Sequence, residues 1–284
     1  MSPSSGKIYV VATPIGNLAD MSERAIETLK SVDLILAEDT RHSLPLLRYF
    51  QIQTQCQAFH EHNEKAMAER FCQQVIAGES VAIISDAGVP LISDPGFPLV
   101  KLAHEYKIKV EPIPGACAAI TALSASGLAT DRFSFEGFLP AKSSARKKVL
   151  QELEDESRTL IFYESPRRVL DSLSDMCEVL GSEREVVLAR ELTKLFETIY
   201  KAPLAKLLEF VEQDENQRKG EIVLLVAGKP AVADAQEVSL NVEKVLRILL
   251  AELPLKQAVS LASKLTEQKK NQVYQIALTL KDQL

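Results

Sequence analysis

Residues 81–96 read VAIISDAGVPLISDPG, an apolar run that passes directly into a loop of serine, aspartate, glycine and proline. The same order of apolar run, loop and amphipathic helical stretch recurs along the first part of the chain. The apolar runs lie at residues 8–12, 34–37, 81–84 and 110–113. Strands that are apolar throughout and alternate with helices form sheets covered on both faces, so this pattern predicts a parallel sheet in an α/β domain.

The pattern changes near residues 124–130, where serine, glycine and threonine predict a hinge. A second α/β set follows, with strand-like runs at residues 133–138, 159–163, 186–189, 198–200 and 222–227. These strands are short and have few long crossovers between them, which predicts a mixed sheet. Residues 230–237 predict a linker. Three helical patterns follow it, at residues 242–253, 255–265 and 271–280.

A chain of 284 residues has room for two domains of usual size and a smaller third part. We expect an N-terminal α/β domain at residues 1–123, a second α/β domain at residues 124–230 and a C-terminal three-helix module at residues 238–284.

The composition excludes several classes of protein. The sequence contains no run of about 18 apolar residues that could span a membrane, and the polar residues 1–6 do not resemble a secretory signal. The cysteines are far apart in the chain, at Cys56, Cys72, Cys117 and Cys177. We therefore expect reduced thiols in a cytoplasmic protein, with no disulfide framework and no metal site.

Small and polar residues cluster directly after the strands of the first half. These loops read TPIGN at residues 13–17, EDTRH at 38–42, SDAGVP at 85–90 with SDPG at 93–96, and PGACAA at 114–119. In a parallel sheet they all lie at one edge, where open α/β sheets bind ligands. Any one of these loops could be explained as a tight turn between a strand and a helix, but four of them together predict a ligand cleft. The motifs GxxxxGK(S/T) and GxGxxG are absent, so the residues by themselves indicate only a small polar ligand between two α/β domains.

The same loops carry a resemblance to a known family. TPIGNL, AEDTR, SDAG with SDPG, and the PG of residues 114–115 resemble the tetrapyrrole methylase superfamily. More narrowly, the chain resembles the branch that methylates small-subunit ribosomal RNA. Segments of the second half agree, namely FEGFLP at residues 135–140, FYES at 162–165, ARELTK at 189–194 and KGE at 219–221.

The resemblance implies an enzyme that transfers a methyl group from S-adenosylmethionine to the ribose 2′-hydroxyl of a cytidine in the decoding region of small-subunit (16S) rRNA. It also implies a homodimer that holds the cofactor in the cleft between its two α/β domains. The implied cofactor contacts are Pro14, Asp86, Val89, Cys117, Ala118, Tyr163, Leu192 and Gly220. Asp86-Ala87-Gly88 stands where many relatives have Gly-Asp-Pro, and Cys117 replaces a common serine, so contacts there are expected to involve backbone groups.

The resemblance also suggests how the reaction is catalysed. Methyl transfer from a sulfonium is an in-line displacement that needs no metal, but a ribose hydroxyl is a poor nucleophile and benefits from a base. We interpret Asp39 as the proton acceptor, Arg41 as the group that orients phosphate or ribose, and Glu164 as the second candidate base. The alternative is that Asp39 and Arg41 pair with each other and shape their loop.

The charge distribution bears on the RNA substrate. The net charge is −6, whereas proteins that neutralise many phosphates are usually basic. A local basic run contains Lys142, Arg146, Lys147 and Lys148. We take these four as candidate phosphate contacts, with a solvated helix face as the alternative. The acidic net charge favours rRNA in an assembled 30S-type particle over free rRNA.

Two other functions stay open at this point. The chain could methylate a small tetrapyrrole-like substrate, although such a substrate needs neither the basic run nor the helical tail, which resembles a helix-turn-helix module. It could also be a ribosome-assembly factor that binds RNA without catalysis, although an RNA binder has no need of four glycine- and proline-containing loops at one sheet edge.

Overall fold

The computed structural model describes residues 6–230, 235–266 and 268–281. The chain divides into two compact units, Met1–Lys229 and Pro230–Leu284. Within the described residues, no helix is long and apolar enough to cross a membrane.

The first half of unit 1 contains a five-stranded sheet, and the prediction of parallel strands is confirmed. Its strands are β1 (Lys7–Val11), β2 (Leu34–Ala37), β3 (Cys56–Ala58), β4 (Val81–Ile84) and β5 (Lys109–Ile113). Their order is β3-β2-β4-β1-β5, and every pair is parallel. The sequence did not predict β3, because its three residues are only half-buried at the sheet edge and form no apolar run.

Helices cover both faces of this sheet, as predicted. They are α1 (Glu23–Ser31), α2 (Thr40–Tyr49), α3 (Glu64–Ile76), α4 (Phe97–Glu105) and α5 (Ala118–Ser126). Leu34 and Leu36 pack into one apolar cluster with α3 and α4, whereas Ile35 and Ala37 pack into the other with α1 and α2. Strand side chains alternate between faces, so one strand supplies both cores. Helix α1 is capped by Ser22, whose hydroxyl accepts the amide of Ala25.

The second half of unit 1 contains the predicted mixed sheet. Its strands are β6 (Phe133–Phe138), β7 (Thr159–Glu164), β8 (Glu185–Arg190), β9 (Thr198–Pro203) and β10 (Ile222–Val226). Their order is β6-β7-β10-β8-β9; β6 and β7 are parallel and the other pairs antiparallel. Helices α6 (Ser143–Glu152), α7 (Val169–Leu180) and α8 (Leu204–Gln213) pack against one face.

Helix α5 packs on the other face of the second sheet, where Ala119, Ala122 and Leu123 contact the apolar residues of β7, β8 and β10. This helix therefore joins the two halves of unit 1. The predicted domain boundary after residue 123 falls inside α5, which ends at Gly127 with a left-handed backbone (φ +65°). A division at residue 123 stays a prediction.

Unit 2 is the predicted module of three helices, α9 (Ala235–Glu252), α10 (Leu255–Leu265) and α11 (Lys270–Lys281). Its core contains Val242, Leu246, Val259, Ala262, Val273, Ala277 and Leu280. Helix α9 begins at Ala235, earlier than predicted, and so takes in part of the expected linker. Residues 231–234 of that linker, and residues 282–284 of the predicted module, lie outside the described residues.

Candidate functional site

A recess of about 420 Å³ lies within unit 1, at the carboxyl ends of first-sheet strands and beside β7, β8 and β10 of the second sheet. Seven of the eight predicted cofactor residues line it: Asp86, Val89, Cys117, Ala118, Tyr163, Leu192 and Gly220. Pro14 is buried and does not line it, although its neighbour Ile15 does. The fold therefore brings the loops together where a parallel sheet predicts, and we call this space the cofactor recess.

Two of the loops are hydrogen-bonded to each other. The Thr13 amide donates to the Gly88 carbonyl at 2.8 Å, and the Gly88 amide donates to the Thr13 carbonyl at 3.1 Å. Gly88 has φ +83°, a conformation that residues with a Cβ rarely adopt. The backbone itself thus forms part of the recess wall, as a close approach of ligand to backbone requires.

Three carboxyl groups line one side of the recess. Burial and then the neighbouring Asp86 raise the pKa of Glu38. Burial and then the charge of Glu38 raise the pKa of Asp94 to about 6. Asp86 accepts hydrogen bonds from the Asp39 amide at 3.2 Å and from His42 Nδ1 at 2.9 Å. Such a group of acids creates a negative potential that favours a cationic ligand.

Aromatic side chains also line the recess, namely Tyr163 and Phe138. Tyr163 makes edge contacts with Phe135 and Phe138, with ring centroids 4.8 Å and 5.7 Å apart. Burial raises the pKa of Tyr163 to about 12, so the phenol stays neutral. Flat apolar surfaces of this kind suit a ring system, while the acids of the recess suit positive charge.

Asp39 and Arg41 form the ion pair that was the alternative to a catalytic role. Asp39 caps α2, and its carboxylate accepts from Arg41 Nη2 at 2.6 Å. Hydrogen bonds from Arg41 lower the pKa of Asp39 to about 2. Neither side chain lines the cofactor recess. A carboxylate with so low a pKa is a weak base, which disfavours Asp39 as the proton acceptor.

Glu164 lines the recess, but three groups of the protein already contact its carboxylate. One oxygen accepts the Ser165 amide at 2.6 Å and Arg168 at 2.9 Å, and the other accepts the Ser172 hydroxyl at 2.5 Å. The side chain is wholly buried. Glu164 thereby fixes the start of α7, and a proton transfer would break these bonds.

The wall at Gly220 depends on the loop after β8. Gly220 has φ +80°, and a Cβ there would overlap the carboxylate of Glu191. Glu191 accepts the Glu221 amide at 2.9 Å and the Lys194 ammonium at 2.8 Å. The stem of Lys194 in turn packs on Gly16, in the loop after β1. This network connects the loops of the two sheets.

The four predicted phosphate contacts, in α6 and directly before it, differ in exposure. Arg146 is buried and donates to Asp175 at 2.7 Å, which disfavours its predicted role as a phosphate contact. Lys147 pairs with Glu178 at 2.5 Å. Lys142 and Lys148 are exposed, and no ion pair holds them among the residues the structure describes.

The sequence interpretation did not single out Asp94, although it quoted its loop. The available signal was that SDPG follows SDAG within one βα connection, which places a second carboxyl beside the first. Among the described residues, no group of three or more histidine, cysteine, aspartate or glutamate side chains could hold a metal ion.

Comparison with known proteins gives two family matches. The family described as Tetrapyrrole (Corrin/Porphyrin) Methylases matches residues 7–208, and the one described as RsmI C-terminal HTH domain matches residues 236–281. The chain is 55% identical to ribosomal RNA small subunit methyltransferase I of Pseudomonas aeruginosa, covering 97% of this chain and 98% of the relative. It is 54% identical to the protein of that name from Escherichia coli O157:H7, covering 97% and 96%.

A solved structure shows the same fold in a more distant protein. The uroporphyrin-III-C-methyltransferase from Thermus thermophilus superposes with a TM-score of 0.53 at 18% identity, covering 78% of this chain and 94% of that one.

Proposed function

Since the chain belongs to the tetrapyrrole methylase family and, within it, to the ribosomal RNA small subunit methyltransferase I proteins, we propose that it methylates small-subunit rRNA. The methyl donor is S-adenosylmethionine. The acceptor we propose is the ribose 2′-hydroxyl of a cytidine in the decoding region of 16S rRNA. The observation that carries the proposal is the full-length likeness to these relatives, together with a recess whose chemistry suits this cofactor.

The residues of the cofactor recess fit the cofactor in three respects. Its volume of about 420 Å³ lies within the usual range for small-molecule sites. Glu38, Asp86 and Asp94 provide negative charge opposite a ligand that carries a sulfonium and an ammonium group. Tyr163 and Phe138 provide an apolar surface for the adenine ring. When bound, the cofactor supplies an activated methyl group.

The protein must hold the hydroxyl oxygen in line with the methyl carbon at about 3–3.5 Å and accept its proton. Glu38 and Asp94 line the recess, and their raised pKa values make them stronger bases than Asp39. We therefore propose that the proton passes to this pair of carboxylates. Asp39 and Arg41 are proposed to position the β2–α2 loop through their ion pair.

We also propose that the substrate is an assembled 30S-type particle, that the enzyme acts in the cytoplasm, and that it is a homodimer. The net charge of −6 supports a shaped particle over bare RNA. Leu195 and Phe196, which are 90% and 68% exposed, are apolar surface of the kind that self-association covers.

The test is methyl transfer from tritiated S-adenosylmethionine to three acceptors: unmethylated small ribosomal subunits, free rRNA and tetrapyrroles. We expect label in the subunits and 2′-O-methylcytidine after digestion to nucleosides. Label in a base would contradict the 2′-hydroxyl as acceptor, and label in tetrapyrroles alone would contradict the RNA substrate.

A further inference from the structure

A second recess, of about 470 Å³, lies next to the cofactor recess. Its lining residues are Pro166, Arg167, Leu170, Glu215, Arg218 and Lys219. Three of these lining side chains are cationic and one is acidic, although the net charge of the chain is −6. We call this space the basic recess.

Two loops contribute residues to both the basic recess and the cofactor recess. Pro166 lines both recesses. Lys219 lines the basic recess, and the next residue, Gly220, lines the cofactor recess. A strand of RNA with one ribose in the cofactor recess therefore has its next phosphates within reach of these cations.

Arg167 is available for a new ion pair, unlike its neighbour. The side chain of Arg168 binds the Glu164 carboxylate at 2.9 Å and the Leu139 carbonyl at 3.1 Å. Arg167 is exposed, and its guanidinium has no acidic partner in the described part of the chain. Arginine in this state presents a planar fork of donors that matches two phosphate oxygens.

Arg218 supplies a second, independent observation. Its Nε is buried and finds no acceptor among the described residues. The same guanidinium makes only a long contact of 3.5 Å with Glu215, which is itself 84% exposed. Among the described residues no closer acceptor holds the terminal nitrogens of this guanidinium, so they can bind an anionic oxygen that enters the recess.

We propose that the basic recess binds a backbone phosphate of the substrate RNA, next to the nucleotide whose ribose enters the cofactor recess. The inference rests on the proposed function and adds to it the residues that hold the strand. Arg167 and Arg218 contact the phosphate oxygens, and Lys219 adds charge from the opposite loop. Such contacts fix the register of the strand and read no sequence.

The test compares Arg167→Glu, Arg167→Lys and Lys219→Glu with the wild type, using unmethylated small ribosomal subunits over a range of salt concentrations. Loss of a charge-assisted contact should raise KM about tenfold or more in the two glutamate variants. It should also reduce the slope of log(kcat/KM) against log salt by about 0.7–0.9. Arg167→Lys, which keeps the charge, should retain most of that slope.

The matched control is Lys30→Glu, which makes the same charge change on an exposed side chain in the last turn of α1, at the sheet edge opposite the loops. It should behave as the wild type. KM values and salt slopes of the Arg167 and Lys219 variants equal to those of the control would overturn the proposal. So would a matching loss of S-adenosylmethionine affinity by calorimetry, because the recess would then belong to the cofactor site. A wild-type protein that methylates no RNA would instead refute the proposed function.

Discussion

At the scale of single residues, the burial of Asp94 raises its pKa and so determines the pH at which it can attract a cationic ligand. Its pKa of about 6 lies above the ordinary value of 3.8, because the carboxyl is half-buried near Glu38. The folded protein therefore holds this proton up to higher pH than the unfolded chain does. Stability contributed by the neutral carboxyl should fall as pH rises from about 4 to 6, while the negative charge that attracts a cationic cofactor appears over the same range.

We expect the affinity for S-adenosylmethionine to increase as pH rises through about 6, because Asp94 then becomes charged. In Asp94→Asn the affinity at pH 7.5 should be lower than in the wild type, and the increase in affinity near pH 6 should be absent. Calorimetric titrations between pH 5 and 8 measure both quantities. Asp131→Asn, at an exposed aspartate outside the recess, should leave the profile of the wild type. A flat wild-type profile would remove Asp94 from cofactor binding.

Asp39→Asn tests whether the ion pair or a catalytic base is the right description of that residue. Asparagine can still accept the Arg41 amide at the start of α2, so the fold should survive. With a structural role only, single-turnover methylation should fall by less than about tenfold, whereas loss of a general base costs about 10²–10⁴-fold. If the role of Asp39 is only structural, Arg41→Ala should reduce the single-turnover rate by about as much as Asp39→Asn does. A loss in the larger range, confined to Asp39→Asn, would restore it as the base.

At the scale of elements, the loop before β10 shapes the cofactor recess through one glycine. Gly220→Ala places a Cβ against Glu191 and strains a left-handed backbone, so we expect a large loss of S-adenosylmethionine affinity. Gly181→Ala is the matched control, since Gly181 has φ +91° with no atom within 4 Å of the added Cβ. Both variants should lose about 1 kcal/mol of stability from backbone strain. Equal affinities in the two variants would contradict the role of Glu191 in the wall.

Helix α6 presents two kinds of basic residue. Arg146 forms a buried ion pair with Asp175, and removing one partner of such a pair typically costs about 3–5 kcal/mol. We expect the loss of stability in Arg146→Met to lie at the lower end of this range, because Ser143 and Lys147 also contact Asp175. Lys148→Met, on the same helix but exposed, should change the free energy of unfolding by about 0.5 kcal/mol or less. Urea denaturation measures both, and equal stabilities would refute the structural role of Arg146.

At the scale of the whole molecule, the two compact units have separate cores. Among the residues whose burial the structure describes, the apolar clusters of unit 1 contain none from unit 2, whose own core lies between residues 242 and 280. Every residue that lines the cofactor recess belongs to unit 1. A chain that ends at Lys229 should therefore bind S-adenosylmethionine with unchanged affinity, measured by calorimetry. A tenfold weaker affinity would show that unit 2 contributes to the cofactor site.

The sequence by itself determined the α/β architecture, the parallel first sheet and the edge at which the loops meet. These features depend on apolar residues that recur every two or 3.6 positions, and such patterns can be recognised within short stretches of sequence. It also determined the family, because the loop motifs keep their order and spacing. The three-residue strand β3 escaped prediction because it carries no such local signal.

Only the tertiary structure decided what each charged side chain does. Arg146 and Lys148 are two positions apart on one helix, yet the first is held by Asp175, 29 residues away, and the second is exposed. Asp94 acquires its raised pKa from burial and from Glu38 on another strand's loop. The basic recess likewise combines loops before α7 and before β10. Charge pairing and desolvation depend on neighbours distant in sequence, so they follow from the folded arrangement and not from the local pattern.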